Sequence, residues 1–371
     1  MKNDHILTIN PGSTSTKVAV FSGETCLFSR TVAHDAETLK QFKTISDQLD
    51  YRRETITNLL RESGIHLEEM DAFVGRGGGL MALVGGTYRI GEIMLDHARR
   101  GANGVQHPAN LGSQLANEFA VTYGKPGFVV NPPDTDELSD LARMTGIKGV
   151  YRKVHLHALN LKETAIRHAQ TLGKQYVDCN FVVCHIGGGI SVSAHEQGRM
   201  IDGNDIVGGE GPMAPTRCGA VPVMEVLQVI EEKGVKGVQA LCTNNGGFIS
   251  HLGTADAQEV SKRAAAGDTK AARVWNAMIY QIIKQIGAMS AILHGKVDGI
   301  LLGGGLVHSE DLVKQITEAC AWIAPVTAYA GEFEMEAMAA GAIRVLNGEE
   351  EAKDYTGVPI WSGFTDSRGN V

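Results

Sequence analysis

The run Ile6-Leu7-Thr8-Ile9, Asn10-Pro11-Gly12-Ser13-Thr14-Ser15-Thr16-Lys17, Val18-Ala19-Val20-Phe21 decides the fold. Two apolar strands flank a turn of Gly, Ser, Thr and one Lys. Backbone N–H groups and hydroxyls in such a turn converge on an anion, and Lys17 adds a point charge. The same grammar returns near mid-chain, where Phe181-Val182-Val183-Cys184-His185-Ile186 runs into Gly187-Gly188-Gly189 and then Ile190-Ser191-Val192-Ser193-Ala194. A third version is Val297-Asp298-Gly299-Ile300-Leu301-Leu302 followed by Gly303-Gly304-Gly305. A single glycine-rich turn is more often only a turn. Three of them, each after a strand, point to a nucleotide held largely by backbone.

At 371 residues the chain exceeds what one core usually supports, so two domains are expected. Its 45 glycines lie well above the usual ~7%. The net charge of −8 argues against a nucleic-acid partner, which needs a basic stripe. An anionic substrate must therefore be drawn by local Arg and Lys. Six cysteines without C-x-x-C spacing read as reduced, mostly buried thiols. No signal-type segment opens the chain and no 18-residue apolar run occurs, so a cytoplasmic protein without a membrane span is expected.

Strand-like and helix-like runs alternate, which predicts an α/β fold. A meander turns at Ser22-Gly23. Residues 36–63 read as helical, Asp71–Arg76 as a short strand, Asn110–Tyr123 as a helix and Gly127–Val130 as a buried strand. Tyr151–Leu172 reads as a helix carrying His155, His157 and His168. Asp268–Leu293 is the longest helical stretch, and Glu334–Leu346 a late helix packing back on the fold. The first two glycine turns lie about 175 residues apart, each opening a strand pair. That is the trace of two similar halves with no tether between them.

These motifs resemble the acetate and butyrate kinase family. Ile9–Lys17 is similar to its first signature, and Cys184–Val192 with Gly198 to its second. His107-Pro108-Ala109-Asn110, His157-Ala158-Leu159-Asn160, Gly211-Pro212 through Thr216-Arg217-Cys218-Gly219, Gly303-Gly304-Gly305 and Glu332–Arg344 also match, in family order. The phrasing from Phe181 onward, the Gly331–Glu336 segment and the shorter length resemble the butyrate branch. The resemblance implies two duplicated actin-like (ribonuclease H-like) domains with an ATP cleft between them. Their expected bounds are 1–151 completed by 335–371, and 152–334. It implies reversible phosphoryl transfer between ATP and butyrate, giving butyryl phosphate and ADP, with Mg2+. A homo-oligomer, dimer or higher, is expected by the same analogy. Two alternatives stay open: a kinase for another short or branched carboxylate, and a non-catalytic actin-like ATP-binding module. A P-loop kinase is excluded, because the three Gly-Lys pairs are followed by Pro126, Gln175 and Val297.

A carboxylate nucleophile is already ionised, so the reaction needs charge neutralisation and in-line alignment rather than a strong base. The resemblance places Arg76 and Arg217 as guanidinium clamps, whose forks match planar oxyanions. It places His157 on the transferring oxygens and His107 as a second active-site histidine. Asn10, Ser13, Ser15 and Lys17 are expected at the terminal phosphate. His185 is expected to position, Gly187, Gly188 and Gly189 to face the β- and γ-phosphates, and Gly303, Gly304 and Gly305 the α-phosphate and adenosine, with Asp256 nearby. For the metal, Asp136 is preferred within the turn Asn131–Glu137, with Asp134 as its rival. Glu334 is the second candidate and Glu336 its fallback. Asn131 stands where many relatives carry Asp. Alignment on flanking motifs puts Gly78, Leu156 and Gly208 around the acyl chain, where missing volume would admit carbons beyond acetate.

Overall fold

A computed structural model of the protein describes residues 4–364. The chain divides into two compact units, 1–136 with 333–371, and 137–332. The first holds strands β1 (His5–Pro11), β2 (Ser15–Ser22), β3 (Thr25–Ala33), β4 (Ala72–Gly75), β5 (Thr87–Arg89), β6 (Gly127–Val130) and, late in the chain, β12 (Lys353–Asp354). They form one sheet in the order β12-β5-β6-β4-β1-β2-β3. The second unit holds β7 (Asn180–Ile186), β8 (Ile190–Glu196), β9 (Arg199–Gly203), β10 (Gly299–Gly304) and β11 (Val326–Ala330), in the order β11-β10-β7-β8-β9.

The two sheets share a plan. In the first, β1-β2-β3 is an antiparallel meander, β4 runs parallel to β1 and β6 parallel to β4. In the second, β7-β8-β9 is the meander, β10 runs parallel to β7 and β11 parallel to β10. This is the duplicated actin-like α/β architecture. The final helix of each repeat is exchanged. Ala158–Thr171 follows β6 in sequence but packs on β7 and β10, while Glu334–Leu346 follows β11 and packs on β1, β4 and β6.

Alternation along the strands feeds a core on each face of the second sheet. Val182, Cys184 and Ile186 point toward the long helix Thr269–Ile292, with Trp275, Met278, Ile282 and Ile286. Phe181 and Val183 point the other way, toward Ala158, Leu161 and Ala165. In the first unit Leu7, Ile9, Val18 and Val20 meet Ile56, Leu60, Leu111, Leu115 and Phe119. No helix among the described residues is long and apolar enough to cross a membrane.

Three expectations shift. The helix predicted from Tyr151 begins at Ala158. Arg152 holds the preceding stretch extended by donating to Ala142 O, Asp202, Gly203 O and Glu210, so His155 and His157 precede the helix. Residues 36–63 form a short turn Ala36–Leu39 and a helix Leu49–Glu62 rather than one run. The segment 137–151, expected with the first domain, packs with the second. Glu137 is salt-bridged to Lys162, and Ser139 N–H donates to Ile201 O.

Candidate active site

In the first unit the signature turn is built on a buried arginine. Arg52 is fully buried, and its guanidinium donates to the carbonyls of Gly12 and Ser15, to Thr16 Oγ1 and to Gln48 Oε1. Burial pulls its pKa down to about 10, so it stays a cation at neutral pH. Arg52 thus fixes the backbone that presents Ser13 and Ser15. Lys17, on β2, is exposed. Asn10, near the end of β1, donates from Nδ2 to Glu334 Oε2 at 2.7 Å. The exchanged helix therefore brings Glu334 to the first turn, across 324 residues of sequence.

Arg76 follows β4, and its N–H donates to Ile9 O. The chain can pass there because Gly75 and Gly112 have no side chains: a Cβ on either would strike the other's backbone or that of Arg76. Arg76 Nη1 donates to Asn131 O at 3.4 Å. Asn131 sits at φ 38 and accepts from Gly86 N–H through Oδ1 at 2.7 Å. Asn tolerates this left-handed backbone better than most residues. Its role is to shape the turn and present a carbonyl to Arg76. Burial, with Arg76 and Arg52 adding to it, holds His107 below the ordinary histidine pKa, so it is neutral near pH 7. Its Nδ1 accepts from Ala109 N–H at 3.1 Å.

Among the acids of the Asn131–Glu137 turn, Glu137 is committed to Lys162 and to Met200 N–H. Asp134 Oδ1 accepts from Asn103 at 2.5 Å. Asp136 is buried, and its N–H donates to Leu83 O. Among the described residues no cluster of three or more His, Cys, Asp or Glu converges as a dedicated metal cage.

In the second unit the turn after β7 lies against the side chain of Arg217, which comes from the loop after β9. A Cβ on Gly189 would fall onto the Arg217 guanidinium, so the bare glycine is what admits it. Thr216 donates to Gly188 O from both its N–H and its Oγ1, tying the arginine's loop to the turn. Gly246 and Gly247 buttress the loop from behind, since a Cβ there would strike Leu241 O and Ala214 O. Arg217 Nη1 is buried without a hydrogen-bond partner. Burial lowers the pKa of this guanidinium, and Asp205 acts in the opposite sense. A buried cationic donor left open at a glycine turn is built to receive an oxyanion.

His157 stands at the start of the helix Ala158–Thr171. Its Nδ1 and Ser191 Oγ are 2.8 Å apart, and its ring stacks on that of His185 with centroids 4.0 Å apart. Ser191 opens β8, which Asn204 fixes by bonding Val192 N–H and Ile190 O. Gly304, at φ 98, pairs with Gly331 and passes so close to Ile186 that a Cβ would clash. The second and third glycine turns, 187–189 and 303–305, therefore lie at the ends of the neighbouring strands β7 and β10.

Some expected residues fall elsewhere. Asp256 caps the helix Ala257–Ala265, its Oδ1 accepting from Gln258 and Glu259 N–H, and this is the role the structure gives it. Leu156 is a buried core residue packed with Leu138, Val154 and Phe181. A Cβ on Gly78 would meet Asn110 Oδ1 and Ala109, and one on Gly208 would meet the Asp205 carboxylate. Those missing side chains are thus taken up by the protein itself, although Gly208 also borders an apolar cavity. Sequence alone does not single out Arg52 or Ser191 as site residues. Arg52 looks like its neighbour Arg53, which is surface-paired with Asp50 and Glu118. For Ser191 a signal exists, its place two residues after the glycine turn.

Residues 135–323 match the family model described as Acetokinase family. A curated protein named "Probable butyrate kinase" from Clostridium botulinum (strain Eklund 17B / Type B) is 43% identical over 352 residues, covering 94% of this chain and 99% of that one. The crystal structure of Porphyromonas gingivalis acetate kinase superposes with a TM-score of 0.74 at 18% identity, covering 92% of this chain and 100% of that chain. A propionate kinase from Francisella tularensis subsp. tularensis SCHU S4 gives 0.69 at 18% identity, covering 91% and 98%. At that identity the two structures speak to the fold.

Proposed function

The chain belongs to the acetokinase family, and from that premise we propose that it is a butyrate kinase, transferring the γ-phosphoryl group of ATP to butyrate and running in reverse from butyryl phosphate and ADP. The observation that carries the reading is the buried, unpartnered Nη1 of Arg217 at the turn Gly187–Gly189. A module that only bound nucleotide would have no use for an open guanidinium there. The 43% identity to a protein named as a butyrate kinase supports the choice of acyl group.

A carboxylate oxygen of butyrate attacks the γ-phosphorus. One O–P bond forms, the bond to the β,γ-bridging oxygen breaks, and ADP leaves with that electron pair. No proton need move. Arg217 neutralises charge on the transferring group, and Arg76 serves the carboxylate end. His157, oriented through Ser191 and the stacked His185, donates to an equatorial oxygen. The hydroxyl turn held by Arg52 and the turns 187–189 and 303–305 bind phosphates and nucleotide through backbone N–H groups.

Magnesium fits the donor chemistry at Glu334, a hard carboxylate oriented by Asn10 beside the first turn. Mg2+ keeps most of its waters and takes only one or two protein carboxylates, so a dedicated cage is not required. Glu334 and Asp136 would hold it, and bound there it would neutralise phosphate charge. An acyl-hydroxamate assay with ATP, Mg2+ and butyrate tests the reading. Hydroxamate formation that depends on butyrate is expected, and none with any carboxylate from two to six carbons would overturn it.

A further inference from the structure

Cys218 directly follows Arg217, and its Sγ lies 3.8 Å from Cys242 Sγ, across 24 residues of sequence. Both thiols are free, and both border a cavity of about 260 Å³. Hydrogen bonds hold the two segments together. Cys218 N–H donates to Leu241 O at 2.9 Å, Gly246 N–H to Thr216 O at 3.0 Å, and Arg217 Nε to Thr243 O at 3.4 Å. The pair therefore sits between the loop that carries the clamp and the end of the helix Val223–Thr243.

The sulfurs of a disulfide stand about 2.0 Å apart, so this contact is one bond-forming step short of one. Hydrogen peroxide is small enough to reach it, since the cavity is far above the roughly 10–15 Å³ one water needs by the same measure. Burial, then Cys242, pushes the Cys218 thiol up to about 12, so the first attack falls to Cys242. Its sulfur takes one peroxide oxygen, the O–O bond breaks, and hydroxide leaves with the electron pair. That step also removes the Cys242 charge that helps to hold the proton on Cys218. The Cys218 sulfur then displaces the new hydroxyl from the Cys242 sulfur, and the S–S bond forms. Two thiols lose two electrons and two protons, and one peroxide becomes two waters. In a reducing compartment such a pair rests as thiols and closes only transiently.

We propose that Cys218 and Cys242 are a site of reversible oxidation by peroxide, and that their disulfide lowers phosphoryl transfer by displacing Arg217. The inference rests on the carboxylate-kinase reading for its effect on rate, and not for the cross-link itself. Closing from 3.8 Å to about 2.0 Å draws the loop and the helix end together. Arg217 is tied to both, by the peptide bond to Cys218 and by Thr243 O. It has no slack on its other side, where the guanidinium lies against Gly189 in room that no Cβ could share. Behind the loop, Gly246 and Gly247 already pass so close to Cys218 N and Ala214 O that a Cβ would strike them. Displacing a catalytic group by about 1 Å can cost about 10²-fold in rate.

The test uses the full chain carrying Cys26→Ser, which takes the exposed thiol out of the reaction. The chain is treated with hydrogen peroxide, quenched with catalase, and read by peptide mass and by hydroxamate formation with butyrate. Linked peptides carrying Cys218 and Cys242 are expected, with turnover at least about tenfold lower. Dithiothreitol is expected to separate the peptides and restore the rate. Cys242→Ser in the same background is expected to keep the reduced rate and to hold it through peroxide. Should that variant fail to fold by thermal unfolding, Cys242→Ala reads the same response. Absence of the 218–242 link in the folded chain would overturn the proposal. So would a link that leaves turnover unchanged, or an equal loss of rate in the Cys242 variant. A reduced chain that turns over no acid would instead remove the kinase reading and the effect on rate with it, while peptide mass still decides the cross-link.

Discussion

The guanidinium of Arg217 lies directly against the bare Cα of Gly189, in space that any Cβ at that position would occupy. The turn Gly187–Gly189 and the proposed oxyanion clamp are therefore one construction. Gly189→Ala must displace the Arg217 guanidinium, the end of a flexible side chain, so the change falls on the clamp's position rather than on the backbone of the turn. We expect turnover to fall by about 10²-fold, the scale of losing one charge-stabilising donor, with a much smaller change in nucleotide affinity. Steady-state kinetics beside a nucleotide titration checks this. Near-native turnover would separate Gly189 from the clamp.

Arg217→Ala removes the clamp itself. Turnover should drop by at least about 10²-fold while ATP binding weakens only slightly, because the group acts on transferring charge. Arg217→Lys should recover little, since an ammonium cannot reproduce the planar fork. A mutant with near wild-type kcat would exclude Arg217 from the mechanism.

Ser191 orients His157 through a 2.8 Å contact to Nδ1. Ser191→Ala should lower kcat by roughly tenfold with KM for both substrates little changed, and Ser191→Thr should restore most of it. Equal losses in the Ala and Thr variants would point to packing of β8 rather than to histidine orientation.

Glu334→Gln should raise the Mg2+ concentration needed for half-maximal rate, because a metal with few protein ligands feels the loss of one. Asn10→Ala should act in the same direction and more weakly, through the 2.7 Å bond that orients Glu334. Within the other acidic turn Asp136→Asn is expected to share the effect and Asp134→Asn to lack it. The reverse pattern would move the assignment to Asp134.

His34 gives a pH signature of stability. Its Nε2 lies 2.8 Å from Thr16 Oγ1, beneath the turn that Arg52 holds. Burial, with Arg52 adding to it, lowers its pKa to about 4. As pH falls through 6.5 the unfolded chain takes up a proton that the folded chain refuses until about 4. Stability present above pH 6.5 is thus lost between 6.5 and 4, and no further below. Urea unfolding of native and His34→Gln chains across pH 7.5 to 4.5 should show the native chain losing more, by about one proton's slope in that window. Parallel curves would assign the acid sensitivity to other groups.

Local patterns were enough to write down β1 to β4, β6 to β8 and β10, the glycine turns and the helices Asn110–Tyr123, Thr269–Ile292 and Glu334–Leu346. Asn110–Tyr123 and Glu334–Leu346 have the bounds their sequence predicts, because apolar period and flanking glycines act within a few residues. The duplicated plan was legible from two similar strand-turn-strand runs. The start of the helix at Ala158 was not, because Arg152 holds the preceding residues extended through partners some fifty residues away.

The sequence by itself determined which groups could bind phosphate and oxyanion: backbone-rich turns, two arginines, two histidines and a handful of acids. Only the tertiary structure decided which of them meet. It exchanged a helix so that Glu334 reaches Asn10, committed Glu137 to Lys162, and turned Asp256 into a helix cap. It also buried Arg52 under the first turn while its neighbour Arg53 stayed at the surface. The physical reason is range. Turn and helix chemistry is settled by neighbours along the chain, whereas a buried charge or an open donor is defined by the groups that packing brings around it.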